Sequence, residues 1–508
     1  INIFLERLYR VIAVEKEMEN FTLPDVNFKP VYYRSISDSV LSYYHGEQLN
    51  KYISNKIQKA LRGTYFPSEF HANEIKLSFA LTSEKRFSAK RYVWQIYRTI
   101  RNTLAMLIKP SILAECCPWF NGNFPWYQLF SFDSSRSFPP LDQDMRSKIR
   151  SAMKEAFLKA VLVPSLSQST KSDLANIFAE FVEHILPLNL IEGFSEKYMT
   201  YSALLHYWDI KQLHSATAHY WNENFKVFAL LAKRKGCKLI GHEHGCRCFA
   251  FLNRVIYNEF KYLDGFVCWG VEDSKWLQGA FKRKDFKMIN LGVPYLNHIS
   301  SQKHMLMWGD KIKILFAASP SGKFMYDLEH LLPERLIYHK DRVFSFLKKL
   351  LEIYPALKIY YKPFPGSSHY APVDEFFSSE MQAGRFIITD KRPVRLFKDV
   401  HLVIWDSIST GFAEAIKAQM PTLIFHSSDE YYRATEKGKK IIDSLKEKGM
   451  VFYDQESGLN SFKQIIDDPV GFMRNCAEPC QQFQKSIAYP VSRKEFFKKL
   501  QKELSVSQ

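Results

Sequence analysis

Hydroxyl side chains follow two apolar runs in the carboxyl-terminal half of the sequence. Ser319 and Ser321 come after the first run, in a segment of small residues whose glycine would let backbone amides approach a phosphate. Ser407, Ser409 and Thr410 come after the second run and precede a predicted helix, whose amino-terminal amides attract anions. These hydroxyls predict a phosphate site, although a Ser/Thr run before a helix often serves only as its N-cap.

Charged side chains accompany the hydroxyls. Lys362 leaves a predicted strand end, where its ammonium could neutralise a phosphate or simply be solvated. Asp406 stands directly before the second hydroxyl run and is assigned with it to the donor site. Glu414 lies one helical turn after Thr410, within reach of ribose hydroxyls. With a further polar segment at Phe425–Asp429, the pattern predicts a nucleotide site.

The run His-Glu-His-Gly at 242–245 ends another apolar segment and has three interpretations. In the first, His244 or Glu243 is the base that deprotonates an acceptor hydroxyl, because histidine titrates near neutral pH. In the second, four alternating side chains on one strand face bind a metal, although Gly245 interrupts that strand. These four are His242, His244, Cys246 and Cys248. In the third, the two histidines only bond to the backbone.

Strand-length apolar runs alternate with helical patterns through residues 221–425, which predicts parallel sheets. Ligands of such sheets bind outside the carboxyl ends of the strands, so the polar segments would meet at one edge. The predicted strands are Lys238–Ile240, Gly265–Gly270, Ile289–Pro294, Lys313–Ala317, Lys358–Tyr361, Phe386–Ile388, Leu402–Ile404 and Thr422–Phe425. The predicted helices are Ser39–Leu61, Lys90–Ile108, Asp142–Val161, Ser172–Ile185, Trp221–Lys235, Glu272–Phe281, Val343–Ile353 and Gly411–Ala418.

The length of 508 residues exceeds what one hydrophobic core usually serves, so several domains are expected. We predict an amino-terminal acceptor-side domain at 1–299, helical and aromatic-rich before it becomes α/β. A polar linker then leads to a nucleotide-sugar-binding α/β domain at 300–470, and closing helices follow at 471–508. No P-loop, GxSxG or GxGxxG motif occurs, which disfavours kinases, serine hydrolases and dehydrogenases.

The net charge of +17 requires an anionic partner or another explanation. Nucleic acid is disfavoured because no nucleic-acid-binding motif accompanies the basic residues; a nucleotide donor or an anionic membrane fits the charge as well. The segment Arg493–Lys502 places two phenylalanines and a leucine beside a basic face, as an interfacial helix or a buried closing helix would. Eight cysteines without a disulfide framework, and no apolar run of about 18 residues, predict a cytoplasmic protein.

Several of these segments resemble the leptospiral-type transferase family of O-antigen gene clusters. Members carry a similar helix, then a Gln-His-Gly-Gly element, and a later Ser/Thr-rich signature. This sequence departs at Glu243, where the family has Gln, and at Cys246, where it has its second Gly. The resemblance covers about Pro187–Phe483. The matching segments are Trp221–Lys226, Gly236–Gly245, Asp406–Ala415, Pro421–Phe425, Leu445–Phe452 and Asp467–Asp468.

The resemblance implies an α/β, GT-B-like fold, with two Rossmann-like domains facing a central cleft and a helix-rich amino-terminal portion. It implies a glycosyltransferase that moves a sugar from a nucleotide donor to a lipid-linked or polysaccharide acceptor. The family is distantly similar to capsule Kdo transferases and teichoic-acid glycerophosphotransferases, which use cytidine nucleotides, and Lys362-Pro363 stands where those enzymes have a His-Pro donor element. A glycerol- or ribitol-phosphate transferase and a non-catalytic binding protein remain alternatives. No cofactor is expected, and no metal, because GT-B enzymes generally stabilise the leaving nucleotide with positive side chains and helix amides.

Overall fold

The computed structural model divides into two compact units, one of residues 1–238 with 324–330 and one of residues 239–323 with 331–508. The predicted domains 1–299, 300–470 and 471–508 remain predictions. Ser321, Cys248 and the predicted helices Lys90–Ile108 and Glu272–Phe281 lie outside the described residues. The structure describes residues 47–61, 112–115, 127–129, 141–160, 167–186, 188, 190–246, 260, 262–271, 285–301, 311–319, 333–364 and 373–505.

The described part of the first unit is mainly helical. Its helices are α1 (Glu47–Leu61), α2 (Gln143–Ala160), α3 (Gln168–Ile185), α4 (Phe194–Tyr207), α5 (Ala218–Trp221) and α6 (Glu223–Arg234). Aromatic contacts join them in pairs: Phe157 of α2 meets Phe178 of α3 with ring centroids 4.9 Å apart. A buried ion pair, Arg146 Nε to Glu192 Oε1 at 2.7 Å, is also part of this core. Strand β1 (Ile112–Glu115) pairs in parallel with β2 (Tyr127–Leu129) and β3 (Gln212–Ser215).

Three parallel strands begin the second unit, with β4 (Lys238–His242) paired to β5 (Gly265–Cys268), and β5 paired to β6 (Lys287–Asn290). Helix α6 ends as predicted before Gly236, whose φ of 85° is in the left-handed region that glycine tolerates best. A short 3-10 helix, Tyr295–His298, follows β6.

The second sheet of this unit is also parallel, in the order β12-β11-β10-β7-β8-β9. From β7 the chain adds β8 and β9 on one side of that strand. It then returns to the other side of β7, where it adds β10, β11 and β12. This makes the gap between β7 and β10 the topological switch point, where open α/β sheets bind ligands. The strands are β7 (Lys313–Ala317), β8 (Lys358–Lys362), β9 (Phe386–Ile388), β10 (Leu402–Trp405), β11 (Thr422–Phe425) and β12 (Val451–Phe452).

Helices cover this sheet and bury its apolar strands. The side chains of β10 and β11 are all buried, because a parallel sheet has both faces covered. Phe346 joins the longest helix to Phe425 and Phe452, with centroids 5.7 and 5.1 Å away. The helices are α7 (Pro333–Ile353), α8 (Val373–Phe376), α9 (Ser378–Gln382), α10 (Pro393–Leu396), α11 (Thr410–Ala418), α12 (Ser428–Arg433), α13 (Glu436–Glu447), α14 (Gln455–Asp467), α15 (Pro469–Asn475), α16 (Ala477–Ile487) and α17 (Arg493–Ser505).

The segment between α16 and α17 returns to the strands that begin the unit. Tyr489 donates its amide to Trp269 O at 2.9 Å, and its own carbonyl accepts the Val293 amide at 2.8 Å. Two glycines permit this approach: a Cβ on Gly270 would lie 2.2 Å from Ser486 O, and one on Gly292 would lie 2.7 Å from Tyr489 O. The carboxyl-terminal segment thus ties β5 and β6 to the second sheet.

The predicted α/β class with parallel sheets and a helix-rich amino-terminal portion is confirmed. Three predicted strands, Lys313–Ala317, Phe386–Ile388 and Thr422–Phe425, match residue for residue. The predicted helix Val343–Ile353 was too short, since it begins at Pro333. Strand β3 was not predicted, because its run Gln-Leu-His-Ser has one apolar residue although three of the four are buried.

Candidate functional site

The two hydroxyl-rich segments lie beside each other at the switch point, because β7 and β10 are neighbours. The Ser319 amide, after β7, donates to Asp406 Oδ1, after β10, at 2.7 Å, and this bond joins the two segments. Ser407 is buried, whereas Ser319 and Ser409 are half-buried and accessible. The two segments predicted to bind phosphate are therefore adjacent at the carboxyl edge of the sheet.

Asp406 is an interior residue of this edge, only 1% exposed. Its second oxygen, Oδ2, accepts a hydrogen bond from the buried Lys340 ammonium of α7. The neighbouring His339 Nε2 lies 3.3 Å from the Asp406 carbonyl oxygen. Burial by itself would raise the pKa of Asp406, but the Lys340 charge reverses this and holds the pKa below its usual value. Burial lowers the pKa of His339 to about 4, so this ring is neutral at pH 7.

The amino terminus of α11 supplies the accessible polar groups. Ser409 is the N-cap residue, yet within the described part of the chain its hydroxyl caps no backbone amide. Ser409 therefore occupies the N-cap position without capping the helix through its side chain, and its hydroxyl is available to a ligand. The first turn of the helix packs against the Trp405 ring, and only glycine fits at position 411, because a Cβ there would lie 2.3 Å from that ring. Amides and hydroxyls at such a helix start favour an anion.

The His-Glu-His-Gly element lies against this helix start. Glu243 is fully buried and its Oε2 accepts the Trp269 amide at 2.7 Å, so its carboxylate orients a strand end and is not exposed to an acceptor. His244, in contrast, is exposed. A Cβ on Gly245 would lie 3.4 Å from Thr410 Oγ1, which places this turn directly beside the helix. The His-Glu-His-Gly turn and the start of α11 are thus adjacent.

Cys246 and Tyr295 extend the contact along α11. Cys246 is fully buried; burial and then the charges of Glu243 and Glu414 raise the pKa of its thiol. The Tyr295 hydroxyl donates to Glu414 Oε1. Burial raises the pKa of Glu414, against the opposite effects of Tyr295 and Arg392. Tyr295 and Arg392 were not predicted, since neither belongs to a recognisable motif.

Lys362 and the loop after β11 complete the edge. Lys362 ends β8 and donates its ammonium to the carbonyl of Pro363 at 2.6 Å, so its charge is directed back toward its own chain. His426, directly after β11, is buried, and burial lowers its pKa to about 3. Among the described residues, no group of three His, Cys, Asp or Glu side chains is arranged to hold a metal ion; the predicted metal independence stays a prediction.

The predicted site residues therefore fall into two groups by exposure. Three are buried and hold the edge together: Glu243, Asp406 and Ser407. Six are at least partly exposed and can meet a ligand: His244, Ser319, Lys362, Ser409, Thr410 and Glu414. Their roles remain predictions. The buried partners His339 and Lys340 were missed because they lie in the polar first part of α7, which was not predicted as helix.

Comparison with known proteins gives a family and several structures of similar fold. The protein-family model described as LIC12162 family transferase matches residues 1–471 of the sequence. No curated protein matches the sequence. S. aureus MnaA, from a co-structure with UDP, is 14% identical with a TM-score of 0.40, over 78% of this chain and 97% of its own. Acinetobacter baumannii MurG is 11% identical with a TM-score of 0.35, over 60% of this chain and 77% of its own.

Proposed function

The chain belongs to the LIC12162 family of transferases, and on that basis we propose that it transfers a sugar from a nucleotide donor to a surface-polysaccharide or O-antigen acceptor. One observation carries the proposal: the exposed His244 turn lies beside Thr410, at the start of the helix that carries the accessible Ser409 and Glu414. A base and an anion-binding helix start within one site are what sugar transfer from a nucleotide requires.

The donor would lie at the switch point with its phosphates on the helix start. The hydroxyls of Ser409 and Thr410 and the free amides of α11 would bind phosphate oxygens, and Glu414 would bind the ribose hydroxyls. Lys362 would turn from the Pro363 carbonyl toward the phosphates, because a charged acceptor attracts an ammonium more strongly than a neutral one. These groups would stabilise the leaving nucleotide as its negative charge develops.

His244 would act on the acceptor. Its ring takes the proton of an acceptor hydroxyl while that oxygen forms a bond to the anomeric carbon of the donor sugar. The bond from the anomeric carbon to the phosphate oxygen breaks, and the nucleotide leaves with the electron pair. In this scheme the amides at the start of α11 and the Lys362 ammonium stabilise the negative charge of the leaving group without a metal ion.

Product analysis tests the proposed reaction. The intact chain would be incubated with CMP-, CDP-, UDP- and GDP-linked sugars and a lipid-linked glycan acceptor, and the product examined by mass spectrometry. We expect a new glycosidic linkage without phosphate. A parallel incubation with CDP-glycerol and CDP-ribitol tests the alternative, and phosphate in its new linkage would make the chain a glycerol- or ribitol-phosphate transferase instead. Tight nucleotide binding without any product would make it a binding protein.

We also propose contact with the anionic inner face of a membrane, where a lipid-linked acceptor would be found. Phe496 and Leu500 of α17 are buried, as a closing helix requires, so the contact would rest on exposed lysines such as Lys494 and Lys498. No described helix is long and apolar enough to cross a bilayer. Binding to phosphatidylglycerol vesicles that disappears at high salt would support the contact, and no binding at low salt would refute it.

A further inference from the structure

A single carboxylate joins three elements at the edge that carries the candidate site. Asp406 lies directly after β10; one of its oxygens accepts the Ser319 amide after β7 at 2.7 Å, and the other accepts the Lys340 ammonium of α7. The segment after β7, the segment before α11 and the helix α7 are therefore fixed to one another at the switch point.

Neither partner of this ion pair can reach a ligand. Asp406 is 1% exposed and Lys340 is 4% exposed. Both carboxylate oxygens are occupied by protein donors, and the charge of Lys340 is matched by the carboxylate it touches. Because both side chains are buried, the pair would act on a bound donor through the groups that it holds.

We propose that Asp406 and Lys340 are positioning residues of the donor site: Lys340 fixes the carboxylate, and the carboxylate fixes the Ser319 amide at the distance from Ser409 and Thr410 that a bound phosphate needs. This inference rests on the proposed nucleotide site. It makes affinity for the nucleotide depend on an acceptor atom at position 406 and not only on the stability of the fold.

A buried ion pair resists simple tests, because removing one partner leaves an unpaired buried charge and can unfold the protein. Two double variants avoid this. K340M/D406N removes both charges but keeps a carbonyl oxygen that can accept the Ser319 amide. K340M/D406L removes both charges and that acceptor, with a side chain of similar size. Of the two, only K340M/D406N keeps a side-chain acceptor for the Ser319 amide.

Three measurements distinguish positioning from stability. Hydrogen exchange of the Ser319 amide is measured without nucleotide, melting temperature is measured by scanning calorimetry, and affinity is measured by titration with CMP, CDP, UDP and GDP. A matched control is R146M/E192L, which replaces the buried ion pair of the other unit, Arg146 with Glu192. The control is expected to change the melting temperature without changing nucleotide affinity.

We expect Ser319 to exchange faster in K340M/D406L than in K340M/D406N, and the tightest-bound nucleotide to bind about tenfold more weakly to the former. If the wild-type chain binds a nucleotide and the two variants bind it with equal affinity, the positioning role is overturned and the proposed function is left intact. A wild-type chain that binds none of the four nucleotides would overturn the donor site and this inference with it.

Discussion

At the residue scale, exposure separates the predicted site residues more sharply than residue type does. Glu243 and His244 are adjacent in sequence, and both were predicted as possible bases. Glu243 is buried with an oxygen bound to the Trp269 amide at 2.7 Å, whereas His244 is exposed beside the helix start. Only His244 can meet an acceptor hydroxyl.

The His244→Ala variant tests this assignment. We expect nucleotide affinity to change less than twofold, because the ring is not among the groups proposed to bind the donor. Transfer should fall about 100-fold or more, the usual contribution of a general base. Rate and affinity are measured by product formation and calorimetric titration. His298→Ala, at another exposed histidine of the same unit, should retain full activity; full transfer by His244→Ala would refute the role.

Residue identities were predictable where a motif carried them and not where distant segments meet. The hydroxyls from Ser407 to Thr410 stand in one run, so their proximity follows from the sequence. Lys340 and Tyr295 reach the same edge from α7 and from the segment after β6. Their contribution depends on tertiary packing, which no local pattern of charge or hydrophobicity specifies.

At the element scale, the start of α11 depends on one close approach. The Trp405 indole donates to Thr422 Oγ1 at 3.0 Å, which fixes the ring in the core. Gly411 then packs directly on that ring, where any Cβ would lie 2.3 Å from it. The position of the helix start, and with it the direction of its free amides, requires glycine at 411.

The Gly411→Ala variant is expected to lose about 1–3 kcal/mol of unfolding free energy, the usual cost of overpacking a core. Its nucleotide affinity should also fall, because the helix start must move off the Trp405 ring. Denaturant unfolding and titration measure the two effects. Lys417→Ala, on the half-exposed face of the same helix, should stay within about 0.5 kcal/mol of the wild type. An unchanged Gly411→Ala protein would show that the helix start tolerates displacement.

The bounds of β7 and β11 were predictable, because each is a short apolar run that begins at a polar residue, Lys313 or Thr422. Helix α7 was predicted ten residues late at Val343 because its first part is rich in charged and polar residues. That first part carries His339 and Lys340, which are buried at the switch point. The misjudged boundary and the missed site residues therefore have the same origin.

At the scale of the whole molecule, three buried histidines predict how stability depends on pH. Burial lowers the pKa of His214 to about 3, of His339 to about 4 and of His426 to about 3. Their ordinary pKa is near 6.5, so the unfolded chain binds protons as the pH falls below that value while the folded chain does not. The contribution of these neutral histidines to the free energy of unfolding is therefore fully present above about pH 7, and it is lost on acidification from about pH 6.5 toward 4.

Each such histidine contributes up to about 1.4 kcal/mol of lost stability per pH unit in that window. Melting temperature measured at pH 7.5, 6.5 and 5 should therefore decrease in that order. His426→Leu removes one buried imidazole and should make the decrease shallower, since one proton fewer is taken up on unfolding. A melting temperature that is constant or rises toward pH 5 would contradict the neutral, buried state of these rings.

The fold class was predictable from the alternation of strands and helices, because parallel sheets follow directly from that order. The tie between the end of the chain and β5 and β6 was not, although Gly270 and Gly292 make it possible. A glycine in sequence does not say which backbone approaches it. The return of residues 485–491 to these strands is a long-range contact without a local signal.

The nucleotide site between the segment after β7 and the start of α11 is the basis of the proposed function. Calorimetric titration of the intact chain with CMP, CDP, UDP and GDP, compared with an S409A/T410V variant, tests it directly. We expect one nucleotide to bind the wild type at least about 100-fold more tightly than the variant, since the loss of two hydrogen bonds to a charged phosphate costs about 1.5–3 kcal/mol each. Equal affinities for the two proteins, or no binding to the wild type, would contradict the site.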